Sequence, residues 1–130
     1  PKGVFTLPLS ETQVVFVAGG VGITPFMSMI RYLSQHKIET VPILIYYNRD
    51  RESAAYVEHL EEFNNNDIIN LYNIFEPLTI DNLKSKVIKP KQSLWYVAGP
   101  PGMVVAARDV LTKLGVDDKN IKIEEFTGYE

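Results

Sequence analysis

Five short apolar runs, rich in β-branched and aromatic residues, alternate along this chain with segments of helical periodicity. Val14-Val15-Phe16-Val17-Ala18 is continuous rather than alternating, as expected of a parallel strand covered on both faces. Ile43 to Tyr47 and Leu94 to Ala98 read the same way, and Ile68 to Phe75 and Ile121 to Phe126 complete the set. Between them, Thr24 to about Gln35 places Phe26, Met29, Ile30 and Leu33 on one helical face. Glu52 to Phe63 does so with Tyr56, Val57, Leu60 and Phe63. A short helix opens at Thr79 with Leu83 inward. Met103, Ala107, Val110 and Leu114 mark a last helix, closed by Gly115. Strands alternating with helices require right-handed crossovers. The expected fold is α/β: a five-stranded, mostly parallel open sheet with helices on both faces. No internal repeat occurs, and Asn64 to Asp67 is too short a polar stretch to divide domains, so residues 1–130 form one domain.

Bulk properties narrow the function classes. At 130 residues, with 45% hydrophobic and 22% charged residues, the chain can bury a core. Its formal net charge of -3 argues against a nucleic-acid surface, which carries a basic excess. No apolar run approaches the roughly 20 residues of a membrane span, and no secretory signal is evident. Cysteine is absent, which excludes thiol chemistry within the chain and fits a cytoplasmic location. The chain opens at Pro1 without methionine and reads as a fragment.

In open sheets of this class, ligands bind beyond the carboxyl ends of the strands. Two loops at those ends are unusual. Gly19-Gly20-Val21-Gly22-Ile23-Thr24-Pro25 joins the first strand to a helix. Glycine lets a backbone approach a phosphate closely, while Thr24 suits the N-cap and Pro25 the first helical position. Gly99-Pro100-Pro101-Gly102-Met103 joins the fourth strand to the last helix. Paired prolines there form a stiff ledge suited to the edge of a flat ring, or simply a rigid helix entry.

Together these loops, with Glu124-Glu125-Phe126 near the end, resemble the ferredoxin–NADP reductase superfamily over essentially the whole chain. The resemblance implies a C-terminal NAD(P)-binding domain of a flavin-dependent oxidoreductase. It implies that Gly19, Gly20, Gly22 and Thr24 form the pyrophosphate loop. Gly99, Pro100, Gly102 and Met103 then lie beside the nicotinamide and its ribose, and Asn48 and Arg49 meet the adenosine ribose. Glu124 and Phe126 fall near the flavin–nicotinamide contact and are the candidate catalytic residues. The implied cofactors are NAD(P)H and FAD (or FMN), the flavin held by a barrel in cis, with residues 1–8 as the crossover from it. The implied chemistry is hydride transfer from nicotinamide to flavin. Two departures stand out: Ala98 replaces a cysteine common in the family, and no flavin-binding Arg-x-Tyr-Ser/Thr element is present.

Other residues carry less. Arg49 and Arg51 suit a ribose 2′-phosphate, but Asp50 and Glu52 oppose it, which leaves NADH or NADPH open. Tyr46 and Tyr47 read as strand residues, one of them in the core, and Tyr129 with Phe126 is a candidate flavin contact. His36 and His59 are too far apart in pattern to make a metal site. A stand-alone dinucleotide-binding sensor or scaffold module is the alternative function. A hydrolase lacks a base or nucleophile in the loops.

Overall fold

The computed structural model describes residues 12–36, 41–49 and 54–126. The expected crossover segment 1–8, together with Asp50, Arg51, Glu52 and Tyr129, lies outside the described residues. The elements run β1 (Val14–Gly19), α1 (Ile23–Ser34), β2 (Ile43–Tyr47), α2 (Val57–Asn65), β3 (Asn70–Ile74), α3 (Ile80–Lys84), β4 (Leu94–Gly99), α4 (Pro101–Lys113) and β5 (Ile121–Glu125). The strands form one sheet in the order β3-β2-β1-β4-β5. Every pairing is parallel.

β1 is central because its residues have apolar cover on both sides, and each of its six residues is buried. Its outward alternation divides the core in two. Phe16 and Ala18 join Ile23, Phe26, Met27, Ile30 and Leu33 of α1 and Leu60 of α2 on one face. Val15 and Val17 join Leu83 of α3 and Val104, Ala107, Val110 and Leu111 of α4 on the other. Phe16 stacks on Phe26 with ring centroids 4.8 Å apart and meets Tyr96 edge-on at 5.6 Å, which fixes α1 over β1 and β4. Trp95, fully buried, donates its indole N–H to the Pro90 carbonyl at 2.9 Å.

Several expected boundaries and faces shift. α2 begins at Val57 rather than near Glu52, because Tyr56 adopts a left-handed backbone (φ 62) that cannot continue a helix. Of its expected inward residues only Leu60 is fully buried, and Tyr56 is exposed. Met29 is only partly buried; Ile23 and Met27 take its place on the α1 face. On α4, Ala107 and Leu111 are fully buried and Val104 nearly so, while Met103 and Leu114 pack at the margin. β3 is shorter than expected, since Ile68 closes the α2 terminus by donating its N–H to Phe63 O. β5 stops at Glu125, before Phe126. Thr79 caps α3 through a reciprocal capping box with Asn82. Gly115 follows α4 with φ +88, a conformation that glycine adopts freely.

Two core tyrosines make the fold sensitive to alkali. Burial raises the Tyr96 phenol above 10.0. Burial also raises Tyr46, against the opposing effect of the Ala55 N–H bonded to its hydroxyl. A folded-state pKa above the unfolded value contributes stability that is complete below it and lost as pH rises through the folded value. The unfolding midpoint in urea is therefore expected to fall as pH climbs past 10.0. Tyr96→Phe should flatten that fall. An equal alkaline slope in wild type and variant would contradict the assignment.

Candidate functional site

The strand order reverses between β1 and β4: the chain leaves β1 toward α1 on one face and leaves β4 toward α4 on the other. A cleft therefore opens beyond the carboxyl ends of these two adjacent strands. It measures about 650 Å³ and is lined from the β1–α1 loop, the end of β2, the entry to α2 and the start of α4. That size lies within the usual range of small-molecule sites, roughly 300–1,000 Å³.

Both long helices begin at this cleft, and neither is closed by a side chain. α1 has Gly22 as N-cap with no side-chain cap bond and no acidic residue in its first turn. The expected Thr24 cap with Pro25 at the first position is thus corrected. A short 3-10 turn over Gly20–Gly22 draws the helix start forward to Ile23, leaving Thr24 and Pro25 inside the first turn. α4 has Pro100 as N-cap and Pro101 at the first helical position, again with neither cap bond nor acid. So the proline pair is a helix entry as well as part of the cleft wall. Helix N-termini carry a partial positive charge. Among the described residues lining the cleft, none is acidic and Arg49 is cationic. The site suits an anion.

The glycines divide by what surrounds them. A Cβ on Gly22 would lie 2.1 Å from the Ala98 carbonyl oxygen, so this glycine lets the loop settle on the end of β4. Gly19 and Gly99 make room for the Met103 side chain, whose sulfur would meet a Cβ on Gly99 at 2.7 Å. Gly20 and Gly102 differ, because an added Cβ would meet nothing within 4 Å. Those two face the open cleft, and Gly20 also requires its positive φ of 55.

Asn48 forms the inner wall. It is 4% exposed, its backbone N–H donates to Ile74 O at 3.0 Å, and its side-chain Nδ2 is buried beside the Tyr46 hydroxyl without a well-formed hydrogen bond among the described residues. An orphaned buried amide costs on the order of 1–3 kcal/mol, a cost that a ligand acceptor would remove. Arg49 beside it is exposed.

Eight of the expected cofactor contacts line this cleft: Gly19, Gly20, Thr24, Asn48, Arg49, Pro100, Gly102 and Met103. Gly22 and Gly99 lie behind them as packing positions. Glu124 and Phe126 do not line it. Glu124 pairs in register with Ala98 on β5, and Phe126 packs against the α1-side core while donating its N–H to Gly99 O at 2.9 Å. The sequence pattern missed Ala55 and Tyr56, which line the cleft opposite the glycine loop. Tyr56 carries the hydrophobic signal of a helix face, so nothing marked it as a rim residue. Among the described residues there is no cluster able to hold a metal ion and no helix long and apolar enough to cross a membrane.

Comparison with known proteins agrees with this geometry. A family model described as the oxidoreductase NAD-binding domain matches residues 16–109. The flavohemoprotein of Bacillus thuringiensis subsp. konkukian (strain 97-27) is 28% identical over an alignment covering 97% of this chain and 36% of its own length. A component of the Na(+)-translocating NADH-quinone reductase of Psychrobacter cryohalolentis is 31% identical, with 98% and 36% covered. The chain thus spans about a third of these relatives. In structure, the FAD/NAD-binding domain of nitric oxide dioxygenase from Vibrio cholerae O1 biovar El Tor superposes with a TM-score of 0.80 at 21% identity. That match covers 97% of this chain and 56% of the other, and shows a common fold.

The two classes of glycine should respond oppositely to alanine. Gly22→Ala drives a methyl into backbone and is expected to cost about 3 kcal/mol in urea unfolding. Gly102→Ala, in a helical first turn with open space around it, should leave stability unchanged or raise it by up to about 1 kcal/mol. Equal losses in the two variants would contradict this division.

Proposed function

This chain belongs to the oxidoreductase NAD-binding domain family, and on that premise we propose that it binds NAD(P)H and presents the reduced nicotinamide to a flavin, FAD or FMN. The observation that carries the reading is the convergence of two helix N-termini without side-chain caps on one cleft with no acid among its described lining residues. A dinucleotide is joined by a pyrophosphate, and amides at a helix start bind such a group by hydrogen bond and dipole together.

The residues fit the cofactor. The Gly19–Thr24 loop holds the pyrophosphate, with Gly20 leaving open space at its surface. Asn48 supplies a buried donor with no well-formed hydrogen bond among the described residues, and Arg49 a cation, on the adenosine side. Gly99, Pro100, Gly102 and Met103 form the ledge on the nicotinamide side. Phe126, tied to that ledge by its N–H bond to Gly99 O, and Glu124, in register with Ala98, stand one strand further out, on the side where this reading puts the nicotinamide–flavin contact. When bound, the reduced nicotinamide supplies a hydride, two electrons and a proton, that reduces the flavin. The chain's own contribution is to bind, orient and exclude water. On this reading its partner is a flavin-binding barrel in cis, joined through residues 1–8, and the domain works in the cytoplasm. The flavohemoprotein and the NADH-quinone reductase component described above are redox proteins by name, which supports the same class of activity.

The test is rapid mixing of the natural full-length protein, purified with its flavin, against NADH and NADPH without oxygen. Bleaching of the oxidised flavin band on mixing is the expected result, slowed by Gly102→Val, which fills the open side of the ledge. A full-length protein that binds dinucleotide but holds no flavin would instead identify a sensor or scaffold module.

A further inference from the structure

Tyr46 is the one polar side chain in the buried run Ile43 to Tyr46, with 0% of its surface exposed. A phenylalanine would fill the same space, and a buried hydroxyl is costly unless bonded. The hydroxyl is bonded, and to two separate walls of the cleft. It accepts the Ala55 N–H at 3.0 Å, from the segment that leads into α2. It also faces the Gly20 carbonyl oxygen at 3.5 Å, a long contact, as donor to the glycine loop. The Asn48 side chain lies beside the same hydroxyl and lowers its pKa against the raising effect of burial.

The Gly20 contact has a consequence for the neighbouring amide. In a planar trans peptide the C=O and N–H point in opposite directions. The Gly20 carbonyl, which also accepts the Ile23 N–H within the 3-10 turn, lies toward Tyr46, and the Val21 N–H of the same peptide points the opposite way; Val21 is 40% exposed at the cleft. The left-handed backbone at Gly20 is the conformation that permits this turn.

We propose that the Tyr46 hydroxyl is a positioning group that cross-braces the glycine loop and the α2 entry, and so aims the Val21 amide at the diphosphate of the bound nucleotide. The proposal rests on the dinucleotide reading above. Tyr46 touches no ligand itself. The long bond to Gly20 shortens as a diphosphate draws the loop onto its amides, so the brace acts on the phosphate-bearing part of the ligand and not on the base.

The experiment compares ADP with adenosine, by calorimetry, on the natural full-length protein and its Tyr46→Phe variant. The expected result is a dissociation constant for ADP raised about tenfold, the size of one lost hydrogen bond, with that for adenosine within about twofold. Steady-state turnover should show the dinucleotide KM rising by the same factor while kcat at saturation stays within about twofold. Should Tyr46→Phe not fold, Ala55→Pro removes the α2-entry arm of the brace while leaving the Gly20 contact, and a smaller loss that is still selective for ADP over adenosine is expected from it. A lowered melting temperature with unchanged ADP binding would make the hydroxyl merely structural and overturn the proposal, as would equal losses for ADP and adenosine. A wild-type protein that fails to bind ADP at all would instead overturn the dinucleotide reading beneath it.

Discussion

A parallel strand buried on both faces must be followed by a crossover, and the two strands at the centre of this sheet send their crossovers to opposite faces. β1 leads to α1 on one side and β4 to α4 on the other. Because β1 and β4 are hydrogen-bonded neighbours, the starts of those two helices stay close while their bodies separate. The gap between them is the cleft. Its shape follows from sheet topology, and its charge preference follows from the direction of helix dipoles. Side chains adjust this arrangement more than they create it: neither helix start is capped by a side chain, and no acid intrudes among the described lining residues.

Glycine in the two loops has more than one role. Gly22 allows backbone to rest on backbone, and Gly19 and Gly99 accommodate a methionine. These are requirements of packing that would hold without any ligand. Gly20 and Gly102 have no such requirement from their neighbours, beyond the positive φ of Gly20. Their freedom is at the cleft surface, where a Cβ would obstruct a bound molecule rather than the protein. The rigid part of each loop therefore lies toward the sheet, and the open part toward the solvent.

Much of this was legible in the sequence. The runs around Phe16, Leu44 and Val97 announce strands because nothing polar interrupts them, and the alternation with amphipathic segments fixes the fold class. The loops were legible because glycine and proline are rare in such density beside strands. The sequence was less informative where tertiary contacts override local preference. Thr24 has the chemistry of a cap, but the 3-10 turn at Gly20–Gly22 starts the helix before it. Tyr56 has the pattern of a helix face, yet its left-handed backbone makes it a rim residue. The two roles of the loop glycines depend on Met103 and the Ala98 carbonyl, neighbours that no spacing rule supplies. Tyr46 reads as an ordinary strand aromatic, and only its bond partners distinguish it from phenylalanine.

The central claim is that two loops, from β1 and from β4, hold one diphosphate-linked nucleotide between them. It is tested most directly by following backbone amide resonances of the natural protein during titration with NADH and with NADPH. Val21 and Thr24 in the first loop are expected to shift together with Gly102 and Met103 in the second, along curves that share one dissociation constant. Movement of a single loop, or of neither at saturating nucleotide, would contradict it.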